Sequence, residues 1–261
     1  MMKIIEKKYY NSYMSIEIKK LKNPPIKEVI MGVACEGLFK TFDEIKSFVK
    51  SSSISTDYPV IDEAHNVMFD IGLAPSIRQS NSIGYRLLPR DESEEIHLEL
   101  NKIMFIDKNK YDSFDNFWGK FKSVLSKIFE YKGNQIEVQD IGLRYVNQFL
   151  FSNEQLARRF YLKQSIGSKT GERYFNMLNS LYISQIQSVN DTNIFGVIKH
   201  ILQPDNEVST NVVFDIDTHI NNTILLENID SLKSNLLKLK EFKNTIFFSN
   251  FDDATTIEEF N

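Results

Sequence analysis

Two successive runs of elements, similar in order and spacing, are the feature that most constrains this chain. The second run opens at Ile141-Gly142-Leu143-Arg144-Tyr145-Val146-Asn147, near the middle. Each run reads strand, capped short helix, loop, three strands, long amphipathic helix. Ile26 to Ile141 is an offset of 115 (141 − 26), and Pro89 to Pro204 and Asp115 to Asp230 repeat it. Leu98 to Phe214 is 116 and Thr41 to Ser152 is 111, a difference that ordinary loops absorb. Residue identity between the runs is low, so the repeat rests on element order and spacing. The same grammar also arises by chance in α+β domains. Consecutive strands joined by short loops pair antiparallel, and a long apolar-striped helix covers one sheet face. The expected fold class is therefore α+β, with two similar halves, each an antiparallel sheet packed by a long amphipathic helix. The expected boundaries are a polar leader or edge strand at 1–22, a first half at 23–135, a second at 136–250 and an acidic tail at 251–261.

In chain order, Asn23-Pro24-Pro25 is punctuation, because proline neither continues a helix nor donates to a ladder. The apolar, β-rich run Ile26 to Cys35 predicts a strand ended by Gly37. Thr41 and Glu44 fit a capping box for a helix to about Val49. Strands are expected at Ala64–Ile71, Ser82–Leu88 and Glu95–Ile106, the last placing His97, Glu99 and Asn101 on one face. Phe114, Phe117, Trp118, Phe121, Val124, Leu125, Ile128 and Phe129 recur at helical spacing within Tyr111–Glu130. Asp112 or Ser113 would cap that helix and Gly133 would stop it. A strand over Ile136–Phe151, a capped helix from Ser152 to Leu162 and a polar loop over 164–173 follow. Strands at Leu181–Val189, Ile194–Leu202 and Asn211–Ile220 then lead to a helix through Phe248. Leu232, Leu236, Leu239, Phe242, Lys243 and Ile246 run along that helix.

Composition excludes several function classes. A chain of 261 residues with 42% hydrophobic and 25% charged residues has the profile of a globular protein able to bury a core. Its net charge of −4 runs against phosphate-clamping nucleic-acid binders, leaving only a local basic patch for that role. Cys35 is the only cysteine, so no intramolecular disulfide forms, which fits a reducing compartment. Charges interrupt every apolar run at the start, and no stretch approaches the roughly 20 apolar residues of a membrane helix. The expected location is cytoplasmic, with no membrane partner.

Few residues point to chemistry. Asp215, Asp217 and His219 alternate along one strand and so share a face. With Glu99 they could hold a divalent metal, which requires the carboxylates within about 5 Å of one another. A solvated sheet face also carries such charges, and no ligand spacing recognisable as a metal site appears, so no metal or other cofactor is assigned. Arg144, mid-strand, reads either as a buried ion pair with Glu99, Asp70 or Asp215, or as a fork for a carboxylate or phosphate. Asn147, on the opposite face, reads as a bulge residue or a specific hydrogen-bonder. Lys169 and Arg173 flank Gly167 and Gly171 in a loop that lacks the Walker spacing but offers backbone N–H groups to an anion. Arg158 and Arg159 would extend a basic patch there. The four histidines are scattered, and Cys35 reads as a small core residue.

Three segments together resemble a known family: Asn23-Pro24-Pro25-Ile26-Lys27-Glu28-Val29, Gly142-Leu143-Arg144-Tyr145-Val146-Asn147 and Phe247-Phe248-Ser249-Asn250. It is a sporadically distributed bacterial family of similar length, known as a numbered family without an assigned function. The resemblance implies a stand-alone bacterial protein in mobile or defence-associated gene sets, and supplies no catalytic residues. The functional expectation is a non-catalytic binding or sensing protein with a protein or small ligand in the cleft between halves, at Arg144, Asn147, Glu99, Asp215 and Asp217. The alternatives are a metal-dependent enzyme on phosphate-containing substrates and a nucleic-acid binder using the local basic patch.

Overall fold

Strand β1 (Ile26–Cys35) buries Val29, Met31, Val33 and Cys35 on one side and shows Glu28, Ile30 and Ala34 on the other. Period-two burial of this kind ties a strand to a sheet with one covered face. The computed structural model describes residues 24–70, 76–108, 110–133, 136–152, 180–204, 209–226 and 229–249. The other strands are β2 (Val60–Asp70), β3 (Ser76–Leu88), β4 (Glu94–Glu99), β5 (Lys102–Lys108), β6 (Ile136–Ser152), β7 (Ser180–Gln187), β8 (Ile194–Pro204) and β9 (Ser209–Leu226). All nine form one antiparallel sheet in the order β2-β3-β4-β5-β1-β6-β9-β8-β7. The expected leader, the helix from Ser152 to Leu162, the 164–173 loop and the acidic tail lie outside the described residues.

The helices are α1 (Phe42–Ser51), α2 (Ile54–Asp57), α3 (Phe114–Lys132) and α4 (Asp230–Ser249). Thr41 caps α1 by accepting the Glu44 N–H at 3.1 Å, while the Glu44 carboxylate accepts the Lys40 N–H at 2.6 Å. Ser113 caps α3 by accepting the Asn116 N–H at 3.3 Å. Gly133, at φ 74°, ends α3 in the left-handed conformation that glycine takes without strain. Every apolar residue of the α3 stripe is buried, each contributing about 1.5–3 kcal/mol by area.

The two-half architecture is corrected by the pairing of β1 with β6. Val29, Met31 and Val33 lie opposite Tyr145, Leu143 and Ile141, so one unbroken sheet runs through the expected boundary. The long helices do not each own a sheet. One core cluster joins β1, α3 and β6 to Leu232, Leu236 and Leu239 of α4. The far end of α4 (Ile246, Phe247) packs with Phe149, Phe151, Val212 and Phe214 in a second cluster. Lys233 to Asp115 at 2.8 Å and Lys122 to Asp230 at 2.6 Å tie the helices to one another. Among the described residues, a nine-strand sheet with helices on one face leaves no cleft between halves. The physical reason is that the β1 and β6 edges satisfy each other's backbone groups, which separate halves would leave open.

A second correction concerns the run Glu95–Ile106. Instead of one strand it is the β4–β5 hairpin, turning at Leu100 and Asn101. The Leu100 and Asn101 carbonyls accept the Phe39 and Cys35 N–H groups, both at 2.8 Å. Asn101 therefore does not share a strand face with His97 and Glu99. Among the described residues, no helix is long and apolar enough to cross a membrane.

Candidate functional site: the open face of the sheet

The register puts the residues that alternate with the core on one face that no described helix covers. Across it run Val197, Asp217, Arg144, Ile30, Ile106 and Glu95 as direct neighbours from β8 to β4. The adjacent row runs Phe195, His219, Gly142, Gly32, Met104, His97, Arg86 and Asp62. Two charged groups flank a central stripe of small and apolar residues.

The first group is built by β6, β8 and β9. Arg144 donates two parallel bonds to Asp215, Nε to Oδ1 at 2.7 Å and Nη2 to Oδ2 at 2.8 Å. Asp215 is only 3% exposed, and Lys199 Nζ stands 3.7 Å from it. A buried carboxylate without such partners would cost several kcal/mol. His219 sits between Asp140 and Asp217, its Nδ1 and Nε2 each 3.0 Å from a carboxylate oxygen. Its ring stacks on Phe195, with centroids 5.2 Å apart, and leaves room only for Gly142 beneath, where an added Cβ would stand 3.2 Å from Cε1. Burial pulls the His219 pKa down, but the two carboxylates outweigh it and hold it at about 9. Burial likewise raises Asp217, and the His219 bond overcomes it to leave the carboxyl below its ordinary range.

The second group lies on β3, β4 and β5. Glu95, 3% exposed, is bonded by Lys108 and by His97 at 2.8 Å, and Arg86 bridges it to Asp62. Burial alone would raise the Glu95 carboxyl, and the Lys108 and His97 bonds bring it below its ordinary value. Sequence reading passed over Glu95. The sequence signal for Glu95 is its alternation with His97, which places both on one face without showing that they pair.

The structure gathers only some of the expected residues. Arg144, Asp215 and Asp217 share one cluster. Glu99 is on the same face but four strands from β9, about 19 Å at ordinary strand spacing. The spacing that a metal held by Glu99, Asp215 and Asp217 demands is not met. Asn147 is on the covered face, 2% exposed, donating to the Phe214 carbonyl at 3.1 Å opposite the β1 irregularity. Lys169, Arg173, Arg158 and Arg159 lie outside the described residues. Cys35 is buried, and burial pushes its thiol up to about 12, so it is inert at neutral pH.

The fold and this face define a one-sided antiparallel sheet protein with an ion-paired open surface. No family model matches the chain, and no curated protein matches it.

Proposed function

We propose that this chain is a non-catalytic, cytoplasmic binding protein that takes a protein partner on the open face of its sheet. The observation that carries this reading is that the described helices all pack on one face of the nine strands, and no described helix covers the other. The Arg144–Asp215, His219–Asp217 and Lys108–Glu95 charges on that face are already paired, so a partner meets a fixed polar pattern there and does not have to order it. At the β7 end Leu181 and Ile183 are each 58% exposed, beside half-buried Val197 and Ile201, and supply apolar area for an interface core. The resemblance to a sporadically distributed bacterial family ties such a partner to defence or mobile-element gene sets. Enzymatic chemistry at Asp215 and Asp217 is disfavoured, because their carboxylates are taken up by Arg144 and His219.

Native mass spectrometry of the protein purified gently from its host tests this reading. A stoichiometric protein partner is expected, and the exposed-site variants Leu181→Glu and Ile183→Glu should lose it while remaining folded. A partner kept by both variants, or a bare monomer under every growth condition tried, contradicts the proposal.

A further inference from the structure

On the covered side, one lysine occupies a place where the helix stripe calls for a hydrocarbon. Lys243 follows Leu239 by four residues and precedes Ile246 by three, and both neighbours are buried. Its ammonium lies 4.0 Å from the centroid of the Tyr145 ring. Tyr145 is 1% exposed, and its hydroxyl is 3.0 Å from that of Tyr111. One turn earlier on α4, Lys240 rests 4.8 Å from the Phe114 ring centroid. Both lysines are half-buried.

These groups are all donors. Among the described residues neither lysine has a carboxylate partner, since Asp115, the nearby acid of α3, takes Lys233. The two phenols carry two hydrogens; their mutual bond uses one, and no protein acceptor for the other stands among the described residues. From β6 the remaining facing polar group is Asn147, neutral and bonded to Phe214, and from β9 Thr218 is bonded to the Leu143 carbonyl. Burial, with Lys240 adding to it, drives the Lys243 amine down to about 7. Two lysines held one turn apart beside this hydroxyl pair, with Asp115 acting on Lys240 only at longer range and no ion-pair partner for either among the described residues, form an environment that an anion completes.

We propose that Lys240, Lys243 and the Tyr111–Tyr145 hydroxyl pair form a binding site for a phosphate group on the helix-covered side of the sheet, separate from the open face. A phosphate carries about −1.5 to −2 charge at pH 7, which matches two ammonium groups better than a single carboxylate does. Lysine suits phosphate as a point charge, without the planar fork that selects carboxylates. The donors come from α4, β6 and the segment before α3, so the bound group would also tie the two long helices together.

The test is competitive labelling of the intact protein with trace acetic anhydride across pH, read by peptide mass spectrometry. Lys243 should titrate near neutrality without phosphate, and millimolar inorganic phosphate should move its midpoint up by a unit or more, about tenfold in proton affinity. Lys240→Ala should abolish most of that movement. Lys243→Met, which removes a cation with no ion-pair partner among the described residues, should stay folded and lose the thermal stabilisation that phosphate gives the wild type. A nucleoside monophosphate as second probe separates free phosphate from a phosphorylated metabolite by whether it acts at lower concentration. An unmoved midpoint, an equal movement in chloride of matched ionic strength, or phosphate stabilisation that survives in Lys243→Met overturns the proposal.

Discussion

Removing the Arg144 guanidinium while keeping its aliphatic bulk isolates the ion pair at the centre of the open face. Arg144→Met leaves the Asp215 carboxylate, 4% exposed at its side chain, with Lys199 at 3.7 Å as its one remaining cation among the described residues. Breaking a fully buried pair costs about 3–5 kcal/mol. Arg144 is 34% exposed and Lys199 can close on the carboxylate, so the expected loss is about 2–3 kcal/mol. The double variant Arg144→Met/Asp215→Leu removes both charges and should recover most of it, giving a coupling energy of about 2 kcal/mol. Urea unfolding of the four proteins of this cycle, followed by circular dichroism at pH 7, measures both numbers. A single-variant loss under about 0.5 kcal/mol, or single costs that simply add, refutes the assignment of Arg144 to a buried structural pair.

Three further outcomes follow from the geometry. His219 stands at about 9 against an ordinary 6.5, so its contribution is complete below pH 6.5 and is lost as pH rises through 9. Lys243 stands at about 7 against 10.5, so its contribution is complete above pH 10.5 and is lost as pH falls through 7. The two oppose each other between pH 7 and 9. Urea midpoints there should rise with pH in His219→Gln and fall in Lys243→Met, each by about 1–2 kcal/mol after allowance for partial exposure, and flat profiles in both would remove this account. Gly84→Ala should abolish folding, because a Cβ there would stand 2.0 Å from the Leu98 carbonyl oxygen, whereas Gly119→Ala, with open space around it in α3, should gain about 1 kcal/mol in thermal unfolding. Ser113→Ala should cost about 1 kcal/mol through loss of the α3 cap, and a neutral result would mean that the cap is replaced by water.

Local structure was largely legible in the sequence. The apolar run Ile26–Cys35 is β1, Thr41 and Ser113 cap the helices expected from them, and Gly133 ends α3, because these signals act within a few residues. Alternation also put Asp215, Asp217 and His219 on one face. What escaped depends on contacts distant in sequence. Element spacing says nothing about which edge pairs with which, so two matching series read as two bodies although β1 and β6 zip together. The β4–β5 turn carries neither glycine nor proline, and its anchoring comes from Cys35, Gly37 and Phe39, some sixty residues earlier. Glu99 was grouped with Asp215 on the strength of the repeat, and the sheet order separates them by four strands. Lys243 stood in plain view on an apolar stripe, but only the folded chain brings Tyr111 and Tyr145 beneath it.

The central claim is that the open face is covered in the cell, and carbene footprinting in native host extract against purified protein tests it most directly. Leu181 and Ile183 should label strongly in the purified protein and be protected several-fold in extract, while exposed Tyr131 and Leu237 on the helices label equally in both. Equal labelling of Leu181 and Ile183 in both samples, or protection confined to the helices, would contradict it.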